Sequence, residues 1–194
     1  MERSDEEILK DHLNGTDEKA AEMIFFRYKT RLLNFCLRML GNRADAEDVT
    51  AEVFLALFAR KYTFNPEAKF STWLYTVARN QCISQIRKRK HLVSVWFFSR
   101  QGDGYDEERD LEDSQDLASQ ELEKKEAAVL VRRAIARLPY EQREVIVLRE
   151  YHQLSYEEIG QVVYSSLENV KILIFRGRER LKTELSSLMK EDQR

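Results

Sequence analysis

Only two prolines and six glycines stand among the 194 residues of this chain. Folds rich in β-strands need many tight turns, and such turns depend on glycine and proline. Runs of Leu, Ala, Glu, Lys and Arg, which are good helix formers, point the same way. The sequence therefore predicts an all-α fold. Its length suffices for one large domain or two small ones.

Helical periodicity divides the chain into two blocks joined by an acidic connector. In the first block, 1–95, apolar residues recur at helical spacing, as between Ile24 and Met39. Residues 96–120 hold a dense run of acids that is too charged to bury. The second block, 121–194, resumes the helical pattern. We therefore expect two small helical domains joined by a flexible acidic linker.

The second block has the pattern of a helix-turn-helix. Ser155 and Glu158 form a capping box that opens a short helix ending near Val163. After a tight turn, a long helix follows whose C-terminal half is basic. A short helix, a turn of a few residues and a longer basic helix are typical of this DNA-binding motif.

In a helix-turn-helix the second helix enters the major groove, and its first turns face the base edges. Six polar residues of the long helix are therefore candidates for contacts with bases or phosphates: Ser166, Glu168, Asn169, Lys171, Arg176 and Arg178. On these residues alone, the alternative is a helical hairpin with a charged, solvated face.

The first block offers aromatic residues beside a long helix that becomes basic. Single-stranded DNA binds to such surfaces, because unstacked bases stack on rings while cations follow the backbone. The candidates for this contact are Phe64, Trp73, Arg79, Asn80, Ser84 and Arg87. The helix is expected to begin at Ser71 or Thr72 and to end in the basic run 87–90. Taken alone, Trp73 fits a core position better than a platform for a base.

The third helix of the first block, expected from Asp45 to Arg60, is amphipathic. Its polar side carries Asp45, Asp48 and Glu52, which suit the docking of a basic helix from a partner protein. A plain solvated face is an equally valid interpretation of the same pattern.

Several functional classes find no support in the sequence. The two cysteines and three histidines lack ligand spacing, so we expect reduced, buried thiols and neither a metal nor a cofactor. No phosphate-binding glycine loop or nucleophile motif indicates an enzyme. The N-terminus is charged and no apolar run approaches the roughly 20 residues of a membrane span. We expect a cytoplasmic protein without membrane insertion.

Four segments resemble conserved regions of the extracytoplasmic-function (ECF) sigma factors of bacterial RNA polymerase. Residues 45–54 (DAEDVTAEVF) resemble their region-two helix, and 70–80 (FSTWLYTVARN) resemble their promoter-melting helix. Residues 138–145 and 154–160 resemble their region four. The motifs follow the family order and cover nearly the whole chain apart from the connector.

The resemblance implies a division of roles. The helix with Asp48 and Glu52 would bind the clamp helices of the largest subunit of core RNA polymerase, and the second block would meet its flap. Loop 63–69 and the helix to Arg87 would recognise and open the -10 element, with a flipped base near Phe64 and Asn80. The helix-turn-helix would read the -35 element of promoter DNA. The linker would lie toward the RNA exit channel, and an anti-sigma protein is an expected partner.

The chain departs from the family pattern at four positions. Ala51 stands where glutamine is usual, and Tyr164 stands where glycine often closes the turn. Ile172 and Leu173 replace the usual serine and arginine of the recognition helix. We therefore expect either weak or unusual reading of the -35 element, or a recognition helix that also docks a protein. A helix-turn-helix regulator that acts without core polymerase is the alternative function, but it leaves the first block without a role.

Overall fold

The computed structural model describes residues 3–15, 17, 19–59, 69–96 and 120–192. Within these ranges the regular structure is helical, as the sequence predicts. The helices in chain order are α1 (Asp5–Asn14), α2 (Ala20–Leu40), α3 (Arg43–Phe58), α4 (Phe70–Trp96), α5 (Gln120–Ala136), α6 (Tyr140–Glu150), α7 (Tyr156–Val163) and α8 (Leu167–Asp192).

Local capping explains where most of these helices begin and end. The Ser4 side chain accepts from the Glu7 amide and opens α1 with a capping box. The Asn42 side chain accepts from the Asp45 amide, so α3 begins at Arg43, two residues before the predicted start. Gly15 and Gly41 end α1 and α2 in the left-handed conformation that glycine adopts without strain.

The first half is built around α2, which packs against α1, α3 and α4. Leu32 and Phe35 of α2 are fully buried, together with Phe70 and Leu74 of α4. Glu6 of α1 accepts a hydrogen bond of 2.9 Å from the Phe70 amide and so caps α4. This cap fixes the start of α4 and therefore the register of the helix that carries the predicted -10 residues.

The second half is organised by α8, which packs against α5, α6 and α7. Ile146 and Leu148 of α6 are fully buried, as is Ile159 of α7. The predicted capping box opens α7, and the turn after it places Tyr164 at φ 55°. Together α7, the turn and α8 form the helix-turn-helix.

The two halves pack directly against each other. Helix α4 lies against α7, and α2 lies against α6 and α5. Their buried apolar residues belong to one continuous cluster that includes Phe35 and Tyr75 of the first half and Val145 of the second. Neither charge pattern nor periodicity predicted this contact.

Two predicted boundaries of the long helix α4 were wrong. Helix α4 continues past the basic run 87–90 to Trp96, because no glycine or proline stops it and basic residues suit the C-terminal part of a helix. Helix α4 also begins at Phe70, before the predicted start at Ser71 or Thr72. The predicted loop 63–69 falls largely outside the described residues, as does most of the acidic linker. In the described part of the chain, no helix is both long and apolar enough to cross a bilayer.

Candidate functional site

A buried ion pair joins the two halves. The Arg79 guanidinium of α4 donates to both carboxylate oxygens of Glu144 in α6, at 2.7 Å from Nε and 3.3 Å from Nη2. Their side chains are only 15% and 3% exposed. Burial raises the pKa of Glu144, while the nearby Arg79 charge opposes that rise. Arg79, predicted from sequence to contact DNA, therefore faces the other half of the protein.

A hydrogen bond between a tyrosine and a histidine also joins the two halves. Tyr75 Oη and His152 Nδ1 are 2.7 Å apart, and the His152 ring also meets Phe35 edge-on. Burial, together with the smaller effect of the positive charges of Arg38 and Arg31, lowers the pKa of His152 to about 4. His152 is therefore neutral at physiological pH and serves as a packing residue between the halves.

Three longer side chains contact the other half around this centre. Arg143 of α6 donates to the Met39 carbonyl at 3.3 Å and also to the carbonyls that follow α5. Lys69 pairs with Glu158 at 2.7 Å. The Arg38 guanidinium lies 3.8 Å from the centre of the Tyr151 ring, a cation–π contact. The contact between the halves therefore combines a buried ion pair and ring packing at its centre with further polar contacts around its edge.

Helix α4 carries a polar stripe that remains accessible. Asn80 and Arg87 are exposed and Ser84 is partly exposed, and the three follow at the i, i+4, i+7 spacing of one helix face. Arg79 points away from this stripe toward α6. Trp73 is partly buried against the core and packs beside Phe70, 5.8 Å between ring centres.

Phe64, the remaining candidate for single-stranded DNA, lies outside the described residues.

The surface of α3 separates the three predicted acids into two groups. Asp48 and Glu52 are exposed, as expected. Asp45 is partly buried, accepts from Gln85 Nε2 at 3.0 Å and pairs with Arg89 at 3.0 Å. It therefore joins α3 to α4. Sequence analysis missed Leu55, which is 68% exposed and continues the stripe of Asp48 and Glu52 at the next turn.

The helix-turn-helix positions its polar residues through local hydrogen bonds. Ser166 caps α8 by accepting from the Asn169 amide at 3.2 Å, and the Asn169 side chain donates to Ser165 Oγ at 2.7 Å. Glu168, Lys171 and Arg176 are exposed.

Arg178 is also exposed but pairs with Glu150 of α6 at 2.6 Å, so it braces α8 against α6.

The apolar residues of the recognition helix α8 have different environments. Leu173 is partly buried and packs against the core, so an arginine restored at this position would not project freely toward a groove. Ile172 and Phe175 are 47% and 68% exposed. The departure from the family pattern that changes the outer surface of α8 is therefore at Ile172.

Sequence analysis missed the contact between the two halves, although it named Arg79 for another role. Glu144 gave one available signal: it precedes Leu148 by one helical turn and so falls on the buried face of α6. An acid on a buried face indicates a partner cation. The sequence does not identify Arg79 as that partner. In the residues that the structure describes, no group of three or more His, Cys, Asp or Glu side chains is placed to hold a metal ion.

The fold and these surfaces define a class, an all-helical DNA-binding protein with a helix-turn-helix in its second half. Comparison with known families then identifies the two halves. Residues 24–92 match the family model "Sigma-70 region 2", and residues 119–181 match "Sigma-70, region 4". The chain belongs to the sigma-70 family and is an ECF sigma factor that directs RNA polymerase to promoters.

Individual relatives match this chain over almost its full length. The chain is 31% identical over 188 residues to the ECF RNA polymerase sigma factor SigW of Bacillus subtilis, covering 97% of this chain and 100% of SigW. It is 27% identical to the RNA polymerase sigma-H factor of Pseudomonas aeruginosa, covering 98% of this chain and 99% of that protein. A regulator that acts without polymerase is not favoured by these matches. The sigma-70 family is not a family of enzymes.

Two solved structures share the fold. The sigma factor RpoE of Bartonella quintana, in complex with the anti-sigma factor NepR, superposes with a TM-score of 0.70 at 22% identity, covering 87% of this chain and 98% of RpoE. CnrH, in complex with the cytosolic domain of CnrY, gives a TM-score of 0.66 at 20% identity, covering 95% of this chain and 99% of CnrH.

Proposed function

We propose that three exposed helical surfaces divide the work of this sigma factor between polymerase and promoter. The face of α3 binds core polymerase, the polar stripe of α4 contacts the -10 element, and the N-terminal turns of α8 read the -35 element. The observation that carries this proposal is the accessibility of all three surfaces while the opposite faces of these helices are packed in the core. We assign the first two surfaces to a unit spanning 1–95 and the third to a unit spanning 121–194.

The polymerase-binding surface is formed by Asp48, Glu52 and Leu55. An exposed leucine next to two acids suits an amphipathic partner helix with basic residues, because the leucine loses water while the acids pair at the edge. The clamp helices of the largest polymerase subunit are the proposed partner. Asp45 contributes by holding α3 against α4 rather than by facing the partner.

The -10 surface is formed by Asn80, Ser84 and Arg87, with two groups that hydrogen-bond to bases and one cation for the phosphates. Trp73 and Phe64 are proposed for the same element, as stacking platforms near the start of α4. Arg79 joins this surface only after it leaves Glu144. We therefore propose that the halves separate when the sigma factor engages polymerase and promoter.

We also propose roles for α8, for the acidic linker and for further partners. Ser166, Glu168, Asn169, Lys171 and Arg176 face the -35 element, and Arg178 keeps α8 in place through Glu150. The acidic linker lies toward the RNA exit channel, and the second unit also contacts the polymerase flap. Because the structurally similar sigma factor RpoE forms a complex with the anti-sigma factor NepR, we propose such a partner here. The proposed setting is the cytoplasm, and the chain performs no chemistry of its own.

Run-off transcription from a promoter library tests the proposal. Core polymerase is supplied with this chain or without it, and start-site selectivity is expected only with it. Leu55→Asp is expected to lower the affinity for core polymerase at least tenfold. Met189→Asp, which changes another exposed apolar residue at the far end of α8, is the matched control and should bind core normally. Absence of start-site selectivity would refute the proposal, and normal core binding by Leu55→Asp would refute the α3 assignment.

A further inference from the structure

We infer that Ile172 and Phe175 read the 5-methyl groups of thymines in the major groove of the -35 element. This inference rests on the proposed function, because it requires α8 to be the helix that faces duplex DNA. It goes further in naming the chemical feature that the helix recognises.

Both residues lie on the outer face of α8. Their neighbours Val170, Ile174 and Gly177 are buried and hold the opposite face in the core. Ile172 and Phe175 are three residues apart, so their side chains are neighbours on one face of the helix, separated by about one turn. Removing such large apolar side chains from water is favourable, and here that requires a ligand that covers them.

The charges around this pair indicate DNA as the occupant. Lys171 and Arg176 directly flank the pair in sequence and are exposed, while the exposed acids Glu168 and Glu179 lie one turn beyond its two ends along the helix. Cations on either side of a narrow apolar strip match a groove, whose edges are rows of phosphates and whose floor is base edges.

Among the base edges in the major groove, only thymine carries an apolar group. Its C5-methyl group packs against apolar side chains, whereas the other bases offer hydrogen-bond donors and acceptors at their edges. An isoleucine against one of those polar edges leaves it without a partner after water is removed. The pair therefore favours thymine by contact and disfavours the other bases by leaving their polar groups unsatisfied.

The position along α8 fits this role. The helix begins at Leu167, with Ser166 as its cap, so Ile172 lies in the second turn and Phe175 in the third. The first turns of a recognition helix are those that reach base edges. Leu173, between the two, packs against the core and takes no part.

The test uses the holoenzyme and removes single methyl groups from DNA. Duplexes with a randomised -35 segment are first selected by polymerase carrying the wild-type sigma factor. Each thymine of the selected sequence is then replaced by deoxyuridine, which lacks only the methyl group. Binding is expected to weaken about fourfold at each contacted thymine, the equivalent of about 0.8 kcal/mol per buried methyl. Thymines without contact should show no change.

Variants of the sigma factor connect the effect to the two side chains. Ile172→Ser and Phe175→Ala should each bind thymine and deoxyuridine duplexes equally at one position while retaining the dependence at the other. Met189→Ala, an exposed apolar residue at the far end of α8, should retain both. Because Ile172 and Phe175 are exposed, these substitutions leave the core packing intact.

The outcomes separate this inference from the function on which it rests. If the holoenzyme selects a -35 sequence but deoxyuridine never weakens binding, the methyl inference is wrong and the proposed function stands. If deoxyuridine weakens binding equally in all variants, other residues read the methyl groups. If the variants lose core polymerase instead, the pair docks a protein. Failure to select any -35 sequence would overturn the proposed function and this inference together.

Discussion

Arg79 in α4 and Glu144 in α6 form a two-point hydrogen-bonded ion pair across the boundary between the two halves of the protein. Arg79 belongs to the segment that resembles the promoter-melting helix, and Glu144 belongs to the region-four match. Because one guanidinium cannot hold this carboxylate and a DNA phosphate in the same geometry, the two contacts exclude each other. The packed arrangement is therefore a state in which one predicted DNA contact is already occupied.

We predict that Glu144→Gln shifts the protein toward separated halves. The substitution keeps the shape of the side chain but removes the charge that Arg79 requires, and a hydrogen bond to a charged group contributes about 1.5–3 kcal/mol. That loss favours separation about tenfold or more. Small-angle X-ray scattering should show a larger radius of gyration, and binding to core polymerase should become faster.

The matched control for this variant is Glu150→Gln. This substitution weakens a second contact between α6 and an arginine, in which Arg178 donates twice to one carboxylate oxygen of Glu150. That contact is exposed and lies within the second half. This variant should scatter like the wild-type protein. An unchanged radius of gyration in Glu144→Gln would show that the ion pair does not hold the halves together.

We predict that acid separates the halves through His152. Its pKa is lowered to about 4 by burial against the first half, whereas an exposed histidine titrates near 6.5. The packed state therefore binds the proton less well than the separated state. Above about pH 6.5, His152 does not change the free energy with which the halves pack together. As the pH falls to about 4, this free energy becomes less favourable by up to about 3 kcal/mol.

Comparison with His152→Gln isolates this effect in scattering measurements between pH 7 and pH 4. Glutamine can still bond to Tyr75 but does not titrate, so its pH profile should be flatter over this range. Both proteins keep Glu144, whose pKa is raised by burial, so the comparison cancels the contribution of that group. Identical profiles for the two proteins would contradict the assignment to His152.

We predict opposite phenotypes for two neighbouring acids of α3. Asp45→Asn removes the ion pair with Arg89, which is half exposed, and should lower the free energy of unfolding by about 0.5–1 kcal/mol. Asp48→Asn changes an exposed residue and should leave stability unchanged while weakening the affinity for core polymerase. Urea unfolding and a core-binding titration of both variants distinguish the roles. A reversed pattern would place Asp45 at the polymerase.

Local sequence patterns were sufficient for the helix-turn-helix. The capping box of Ser155 and Glu158 was identified because both partners lie within one turn of each other, and the structure contains it. Gly41 ends α2 through a signal that is equally local. These features depend on backbone groups a few residues apart, so their information is contained in short stretches of sequence.

The contact between the halves was not predictable in this way. Arg79 and Glu144 are 65 positions apart, and Tyr75 and His152 are 77 apart. Nothing in the neighbourhood of either residue encodes its partner. The same limitation applied to Asp45, because its contact with Gln85 depends on how α3 and α4 pack. Sequence analysis assigned Arg79 and Asp45 to external partners, and the structure adds a contact inside the protein for each.

We predict that Tyr164→Gly stabilises the protein. Tyr164 ends α7 with φ 55° and ψ 50°, a left-handed conformation that costs a residue with a Cβ atom about 1–2 kcal/mol. Its side chain is 70% exposed, so little packing is lost with the ring. The greater freedom of glycine in the unfolded chain offsets part of the gain. A net increase of about 0.5–1 kcal/mol in the free energy of unfolding is expected in urea. Tyr164→Ala retains the Cβ atom and should give no gain, so an equal gain from both variants would show that the ring, rather than the backbone, is the source of the strain.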